Sequence, residues 1–448
     1  MHFELSAAQA AENIRSGLIS SVDLVKACLQ RIEDTDGDIR AWVHLDPGQA
    51  LAQAEALDEI RRKGLPLGPL HGVPVGIKDI FDTCDMPTQL GTKIHDGRQP
   101  ELDCVVIERL REAGAVILGK TVTTEFAYSH PAVTTNPHNP AHSPGGSSSG
   151  SAAAVAAGHL PLAIGSQTGG STIRPASYCG IFGFKPTRGV ISRRGVLETS
   201  RVLDQVGIFA RTLEDLAILG DTLGSYDQAD SMSYARPRPQ LLGGYKADPP
   251  VEPCFAWIEL PINDLLSESA RAGLAEVREV LGDQVEVIPA PKSFVKVIEC
   301  HKVIHEYEIA RCLKAEIDDH WDDISDTIKP KLESGLATTQ AQYHEALAMV
   351  GGAENYFEEF FNDYDAVLTS SAPGEAPLMG SEAGTGNPIF SVIWTFAGLP
   401  CLSLPVMTGE LGLPMGLQLV GSAEGDDRLF RTARWLLQQL EENAGDDE

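Results

Sequence analysis

The pattern of apolar and polar positions divides the chain into short helices and strands from its first residues. Ser6 and Ser21 each precede a stretch of helical spacing, Gly17 closes the first, and Asp46-Pro47 opens a third helix ending near Lys63-Gly64. The first sixty or so residues therefore read as helical. Val73, Val75 and Ile77 then alternate with Pro and Gly, a short strand that leads to Lys78. Asp103 is placed to cap a helix through Leu110 that ends at Gly114, and Ala115-Val116-Ile117-Leu118 reads as a fully buried strand.

Residues Thr134 to Gly150 form a long loop rich in Pro, Gly, Ser and Asn, and a loop of that length inside a compact domain is usually functional. It leads into a short Ala-rich helix, Ser151 to Gly158, and then a buried strand, Leu160 to Ile164, that delivers the chain to Thr168. Ser293 to Ala348 is charged and helical and is expected to cover one edge of the core. The longest apolar stretch, Ile389 to Val406, is interrupted by Gly398, Pro400 and Pro405 and cannot form an uninterrupted membrane span.

Composition narrows the function classes. At 448 residues, with 43% hydrophobic and 22% charged residues, the chain is expected to be an ordinary globular protein, disordered only in the acidic tail Glu441–Glu448. A formal net charge of -28 argues against wrapping phosphate backbones, so nucleic acid is not an expected direct partner. The eight cysteines include no Cys-x-x-Cys pair and read as reduced, and the N-terminus lacks a signal peptide pattern. A cytoplasmic protein without membrane contact is the expectation.

Candidate chemistry concentrates in two Gly-Gly-Ser turns joined by the Ala-rich helix: Pro144-Gly145-Gly146-Ser147-Ser148-Ser149-Gly150-Ser151 and Gln167-Thr168-Gly169-Gly170-Ser171-Thr172-Ile173-Arg174-Pro175. Glycine pairs let the backbone approach a substrate and turn its N–H groups inward, and a serine after such a turn can attack a carbonyl. A flexible Gly/Ser linker is the plain alternative, but no linker is followed by a helix, a buried strand and a second such turn. Two accidental motifs are set aside. Gly114 to Thr121 matches the phosphate-loop pattern, yet its inner residues form a β-prone run that follows a helix. Gly146 to Gly150 matches a G-x-S-x-G elbow centred on Ser148, but no elbow strand precedes it. His301 and His305 stand i, i+4 on a helix with Lys at 302, not the Glu of a zinc protease, and read as surface or helix-packing residues.

The two turns resemble the amidase signature family. The likeness extends upstream to His71-Gly72-Val73-Pro74-Val75-Gly76-Ile77-Lys78-Asp79 and downstream to Cys179-Gly180-Ile181-Phe182-Gly183-Phe184-Lys185-Pro186-Thr187 and Pro414-Met415-Gly416-Leu417-Gln418-Leu419-Val420-Gly421. It implies an α/β fold, a large mixed β-sheet core covered by helices on both faces. It also implies one domain over 1–448, with N-terminal helices over about 1–64, a catalytic core over about 65–225 and 365–448, and a helical covering segment over about 290–350. Carried over residue by residue, the resemblance implies a Ser-cisSer-Lys triad of Ser171, Ser147 and Lys78, with a cis bond between Gly146 and Ser147. Ser171 attacks an amide carbonyl to form an acyl-enzyme. Ser147 relays the proton to Lys78, a base only if burial lowers its pKa from about 10.4. The oxyanion hole falls on the N–H groups of Thr168, Gly169, Gly170 and Ser171, and no metal or organic cofactor is expected.

One departure is informative. Many members of the family have Asp where this chain has Gln167, and an arginine two residues after the nucleophile, whereas here Arg174 follows Ser171 by three. This resembles a malonamidase-like branch and implies that Arg174 binds a substrate carboxylate, with a structural ion pair as the alternative. The expected function is an amidase cleaving small amides, with carbamates and anilides as variants. The alternative is the glutaminase-type component of a tRNA-dependent amidotransferase. The expected partners are a small-molecule amide and, at most, a second copy of the chain in a homodimer.

Overall fold

A computed structural model describes residues 1–445. Eleven strands form one sheet: β1 (Trp42–Leu45), β2 (Pro74–Lys78), β3 (Val116–Thr121), β4 (Leu162–Gln167), β5 (Phe182–Lys185), β6 (Gln205–Ala210), β7 (Phe255–Glu259), β8 (Val285–Pro289), β9 (Ala366–Ser370), β10 (Cys401–Thr408) and β11 (Pro414–Val420). Their spatial order is β1-β3-β2-β4-β6-β5-β10-β11-β9-β7-β8. The neighbours β3, β2 and β4 run parallel, as do β9, β7 and β8, while the pairings from β4 through β6, β5, β10 and β11 to β9 are antiparallel. Every residue of β2, β3, β4, β6 and β9 is buried, the mark of strands covered on both faces. This is the expected mixed α/β architecture.

The N-terminal helices form largely as their sequence dictates. Helix Ala7–Ser16 starts from Ser6, whose hydroxyl accepts from Gln9 N, and it buries Ala7, Ala10, Ala11 and Ile14, one stripe at helical spacing. It ends at Gly17, in the left-handed region with φ 79°. Helix Pro47–Arg62 is capped by Asp46. Two carboxylates from elsewhere fix the first two helices in place. Asp215 accepts from the N–H groups of Ala7 and Ala8, and Asp58 accepts from those of Ser21 and Val22.

Several expectations are corrected. The cap of helix Ser21–Ile39 is Ser20, and Ser21 is already helical and buried. The first sixty residues are not wholly helical, because Trp42–Leu45 pairs antiparallel with β3, a choice made by the distant strand and not by local preference. Asp103 does not cap helix Val105–Glu112. Its carboxylate is held by Arg111 at 2.9 Å and by Cys84 N at 2.8 Å, which leaves Cys104 at the N-cap position without a side-chain cap bond. The helix after the Ser-rich turn starts earlier, at Ser149–Ala156, and the following strand reaches Gln167. The covering segment consists of separate helices, chiefly Ser293–Cys312, Lys329–Ala337 and Gln340–Phe360. The apolar stretch from Ile389 splits into helix Ile389–Phe396 and strand β10. Among the described residues no helix is long and apolar enough to cross a membrane. Of the acidic tail expected to be disordered, residues 441–445 belong to helix Asp426–Gly445, and residues 446–448 lie outside the described residues.

Candidate active site

The parallel strands β2 and β4 deliver Lys78 and the turn after Gln167 to the same end of the sheet, where open α/β sheets bind ligands. Lys78 is the last residue of β2 and is fully buried. Its Nζ donates to Ser147 Oγ at 2.7 Å and to Ser166 Oγ at 2.7 Å. Burial holds the ammonium well below the ordinary lysine range, against an opposing pull from the Asp204 carboxylate. The Gly146–Ser147 peptide bond is cis. Gly145 precedes it at φ 84°, and a Cβ there would lie 2.9 Å from Pro175 Cα, so a side chain is excluded on both counts.

Thr168, Gly169, Gly170 and Ser171 line a cavity of about 640 Å³ together with Arg174, Tyr128, His301 and residues of the 381–388 loop. Ser171 is half-buried. Among the described residues no acceptor meets the backbone N–H groups of Gly169, Gly170 and Ser171, which leaves three donors free beside the Ser171 hydroxyl. A Cβ on Gly170 would lie 3.0 Å from Pro388 Cβ, so the missing side chain lets that loop close on the turn.

Side-chain bonds hold the turn in shape. Gln167 Oε1 accepts from the N–H groups of Thr172 and Ile173, both at 3.0 Å, and so caps helix Ile173–Cys179 from outside it. Gln167 Nε2 donates to Thr395 Oγ1 at 3.0 Å, and that hydroxyl in turn reaches the carbonyls of Gly169 and Ser391. Asp204 accepts from the Thr168 and Thr199 hydroxyls and from the N–H groups of Thr199 and Ser200.

Arg174 is buried, and its Nη2 donates to the Gly146 carbonyl and to Thr385 Oγ1 at 3.3 Å. Its Nε and Nη1 have no partner among the described residues, and burial pushes its pKa down to about 10. No salt bridge among the described residues involves it, so the expected alternative of a structural ion pair is not what the structure contains. The guanidinium braces the Ser147 turn with one nitrogen, and its other two nitrogens are buried without a partner in a residue that lines the cavity.

His301 and His305 are not surface residues. Both line the cavity, and His301 Nε2 donates to the Thr168 carbonyl at 2.8 Å, docking helix Ser293–Cys312 onto the turn. That proton is on Nε2 because the acceptor is a carbonyl, and burial, pushing the His301 pKa to about 4, leaves the ring neutral. The sequence offered only their i, i+4 spacing as a signal. Ser166 and Thr395 carry no signal in the chain either, since the partners that give them a role are distant, and the bond of Asp204 to Thr168 is likewise made across 36 positions even though its other partners, Thr199 and Ser200, are near in sequence.

The two accidental motifs have structural explanations. Lys120 of the phosphate-loop match is buried inside β3, with its Nζ held by the carbonyls of Phe81 and Pro87, by Thr88 Oγ1 and by Asp79 at 3.3 Å. Ser148 of the elbow match is fully buried and bonded to the backbone of Ser166.

Residues 23–430 match the profile of the family described as Amidase. The chain belongs to the amidase signature family. It is an enzyme class that acts on C–N bonds. A glutamyl-tRNA(Gln) amidotransferase component from Chloroflexus aurantiacus, the A-type chain of that enzyme, is 34% identical to it over 96% of this chain and 95% of that protein. A chain solved in a study of a vestigial protein complex and the origins of an s-triazine catabolic enzyme is 30% identical, with a TM-score of 0.91 over 97% of this chain and 98% of the other. A structure described as an amidase is 29% identical, with a TM-score of 0.85 over 97% and 100%. The expected affinity to a malonamidase-like branch is not supported, because curated relatives from Chloroflexus aurantiacus and Streptomyces coelicolor, 34% and 33% identical, are amidotransferase components.

Proposed function

We propose that the chain hydrolyses a small, carboxylate-bearing primary amide through an acyl-enzyme on Ser171. The observation that carries this reading is the buried contact of 2.7 Å between Lys78 Nζ and Ser147 Oγ, next to a turn with free N–H groups. A lysine whose pKa is lowered by burial is available as a neutral base. Ser171 Oγ attacks the amide carbon and gives its proton to Ser147, which passes its own to Lys78. The carbonyl oxygen, now an anion, accepts from the turn N–H groups. Collapse breaks the C–N bond, the proton returns through Ser147 to the leaving nitrogen, and ammonia departs. Water then repeats the sequence on the ester and frees Ser171.

The relatives favour glutamine as the amide and a multi-component amidotransferase as the setting. Glutamine is itself a carboxylate-bearing primary amide, so the unpaired nitrogens of Arg174 serve this reading directly. With a net charge of -28, the chain leaves tRNA contacts to the other components of such a complex. A stand-alone amidase is the second reading, favoured by Gln167 and by the displaced position of Arg174. Ammonia release by the purified chain alone, on glutamine and a panel of amides, carbamates and anilides, separates them. Turnover of another amide with glutamine inert supports the stand-alone enzyme. Turnover of none, by the chain or by a reconstituted complex, overturns the proposal.

A further inference from the structure

The covering helices contribute charge to the cavity that the chemistry above does not use. Helix Ser293–Cys312 brings His305 and Glu306 to the wall, and helix Lys329–Ala337 brings Lys331. Lys331 is half-buried, with its Nζ 4.9 Å above the Tyr128 ring, and its ammonium makes no salt bridge or hydrogen bond among the described residues. The Tyr128 ring also meets His305 edge-on at 4.8 Å, and His305 Nε2 is buried without a partner among the described residues. Three groups able to donate, from Arg174, His305 and Lys331, thus border one cavity with unused capacity.

The acidic groups of the wall do not satisfy them. Glu306 accepts from Ser334 Oγ at 2.6 Å and lies 3.9 Å from Lys302, another lysine of the wall, so it makes no direct bond to Arg174, His305 or Lys331, although its negative charge is felt at Lys331. Glu382 is exposed, on the outer part of the 381–386 loop. Two cations left unpaired against one cavity repel each other, and an anion placed between them relieves that repulsion and the cost of burial together. In a chain carrying a net charge of -28, a wall that sets Arg174, Lys302 and Lys331 against Glu306 and Glu382 is a local basic feature and not a general surface property.

We propose that Lys331 is a specificity-determining residue whose ammonium, beside Arg174, binds the carboxylate of an anionic amide in this cavity. This rests on the reading of the cavity as an amide-hydrolysing site. It assigns to the covering segment the selection of the acyl side of the substrate. The ammonium rests over the Tyr128 ring face, a weak contact that an entering anion can replace or share.

The test compares L-glutamine, succinamate and glutaramate with the neutral butyramide and valeramide. Lys331→Met keeps the stem and removes the charge. It is expected to raise KM for the best anionic amide by about tenfold or more, with kcat and all neutral-amide rates within about twofold, and Lys331→Arg is expected to restore most of the loss. Unchanged KM for the anionic amides, or equal losses on neutral and anionic ones, overturns the inference. Calorimetric binding of the same anionic amides to Ser171→Ala, with and without Lys331→Met, reads the subsite without turnover. Binding that depends on Lys331 in a chain that hydrolyses nothing sustains the subsite and overturns the hydrolytic reading. Hydrolysis indifferent to Lys331 does the reverse, and absence of both binding and hydrolysis overturns both.

Discussion

The Nζ of Lys78 and the Oγ of Ser147 lie 2.7 Å apart, with both side chains buried. The lysine is the end of a strand and the serine begins a turn 69 positions further on, so their meeting is a product of the parallel pairing of β2 with β4 and of the loop between them. Burial makes the charged form of Lys78 costly, and hydroxyl partners that can accept or donate suit the neutral amine as well as the ammonium.

The pH dependence follows in sign. Hydrolysis needs neutral Lys78, and burial lowers its pKa, so kcat is expected to rise with pH and to level off below the ordinary lysine pKa of about 10.4. Replacing Lys78 or Ser147 with Ala is expected to lower kcat by about 10²–10⁴-fold with the far-UV spectrum unchanged, and Lys78→Ala should abolish the rising limb. A rate profile that keeps its limb in Lys78→Ala would assign that limb to another group.

Arg174 braces the Ser147 turn and is proposed also to bind a substrate carboxylate, and its replacement should show both. Loss of the bond to the Gly146 carbonyl affects every substrate, at about 1–2 kcal/mol in kcat/KM. Anionic amides are expected to lose a further 2–3 kcal/mol or so, the range for a charge-assisted contact, and Arg174→Lys to recover only part of it. Equal losses on glutaramate and valeramide in steady-state assays would reduce Arg174 to a brace for the turn.

Gln167 is expected to matter for stability as well as rate. Gln167→Leu leaves the N–H groups of Thr172 and Ile173 without their acceptor, at a cost of about 1–3 kcal/mol, and loosens the turn that carries Ser171. Urea titration reads the first effect and kcat the second. Gln167→Glu keeps the acceptor and should retain more stability than the leucine variant.

Local chemistry explains which parts of this arrangement could be read from the chain. The Gly-Gly-Ser turns, Lys78 at a strand end and Arg174 in a short helix are written in contiguous residues whose backbone demands are strong, as at Gly145. The helix cap at Ser6 and the strand at β2 were legible for the same reason. The approach of His301 to Thr168 was not, because it depends on how a helix 133 positions away packs on the turn. Nor was β1, whose pairing partner lies beyond helix Pro47–Arg62, strand β2 and helix Val105–Glu112. The antiparallel run through β6, β5, β10 and β11 likewise depends on pairings that periodicity alone does not encode.

Metal independence is expected because, among the described residues, no three His, Cys, Asp or Glu side chains of the cavity converge closely enough to hold a metal ion, although His301, His305 and Glu306 line it. The cluster of Cys84, Asp85 and Asp103 lies elsewhere, and Arg111 already pairs with both of its carboxylates. Dialysis against a strong chelator should leave the rate unchanged. A loss restored by added zinc would implicate a metal in turnover.

The site of covalent labelling tests the central claim most directly. The protein is treated with phenylmethylsulfonyl fluoride, digested, and mapped by tandem mass spectrometry. The account predicts the sulfonyl group on Ser171, with loss of activity in step with labelling and no label in Ser171→Ala. Label on Ser147 or Ser148, with Ser171 unmodified, would contradict it.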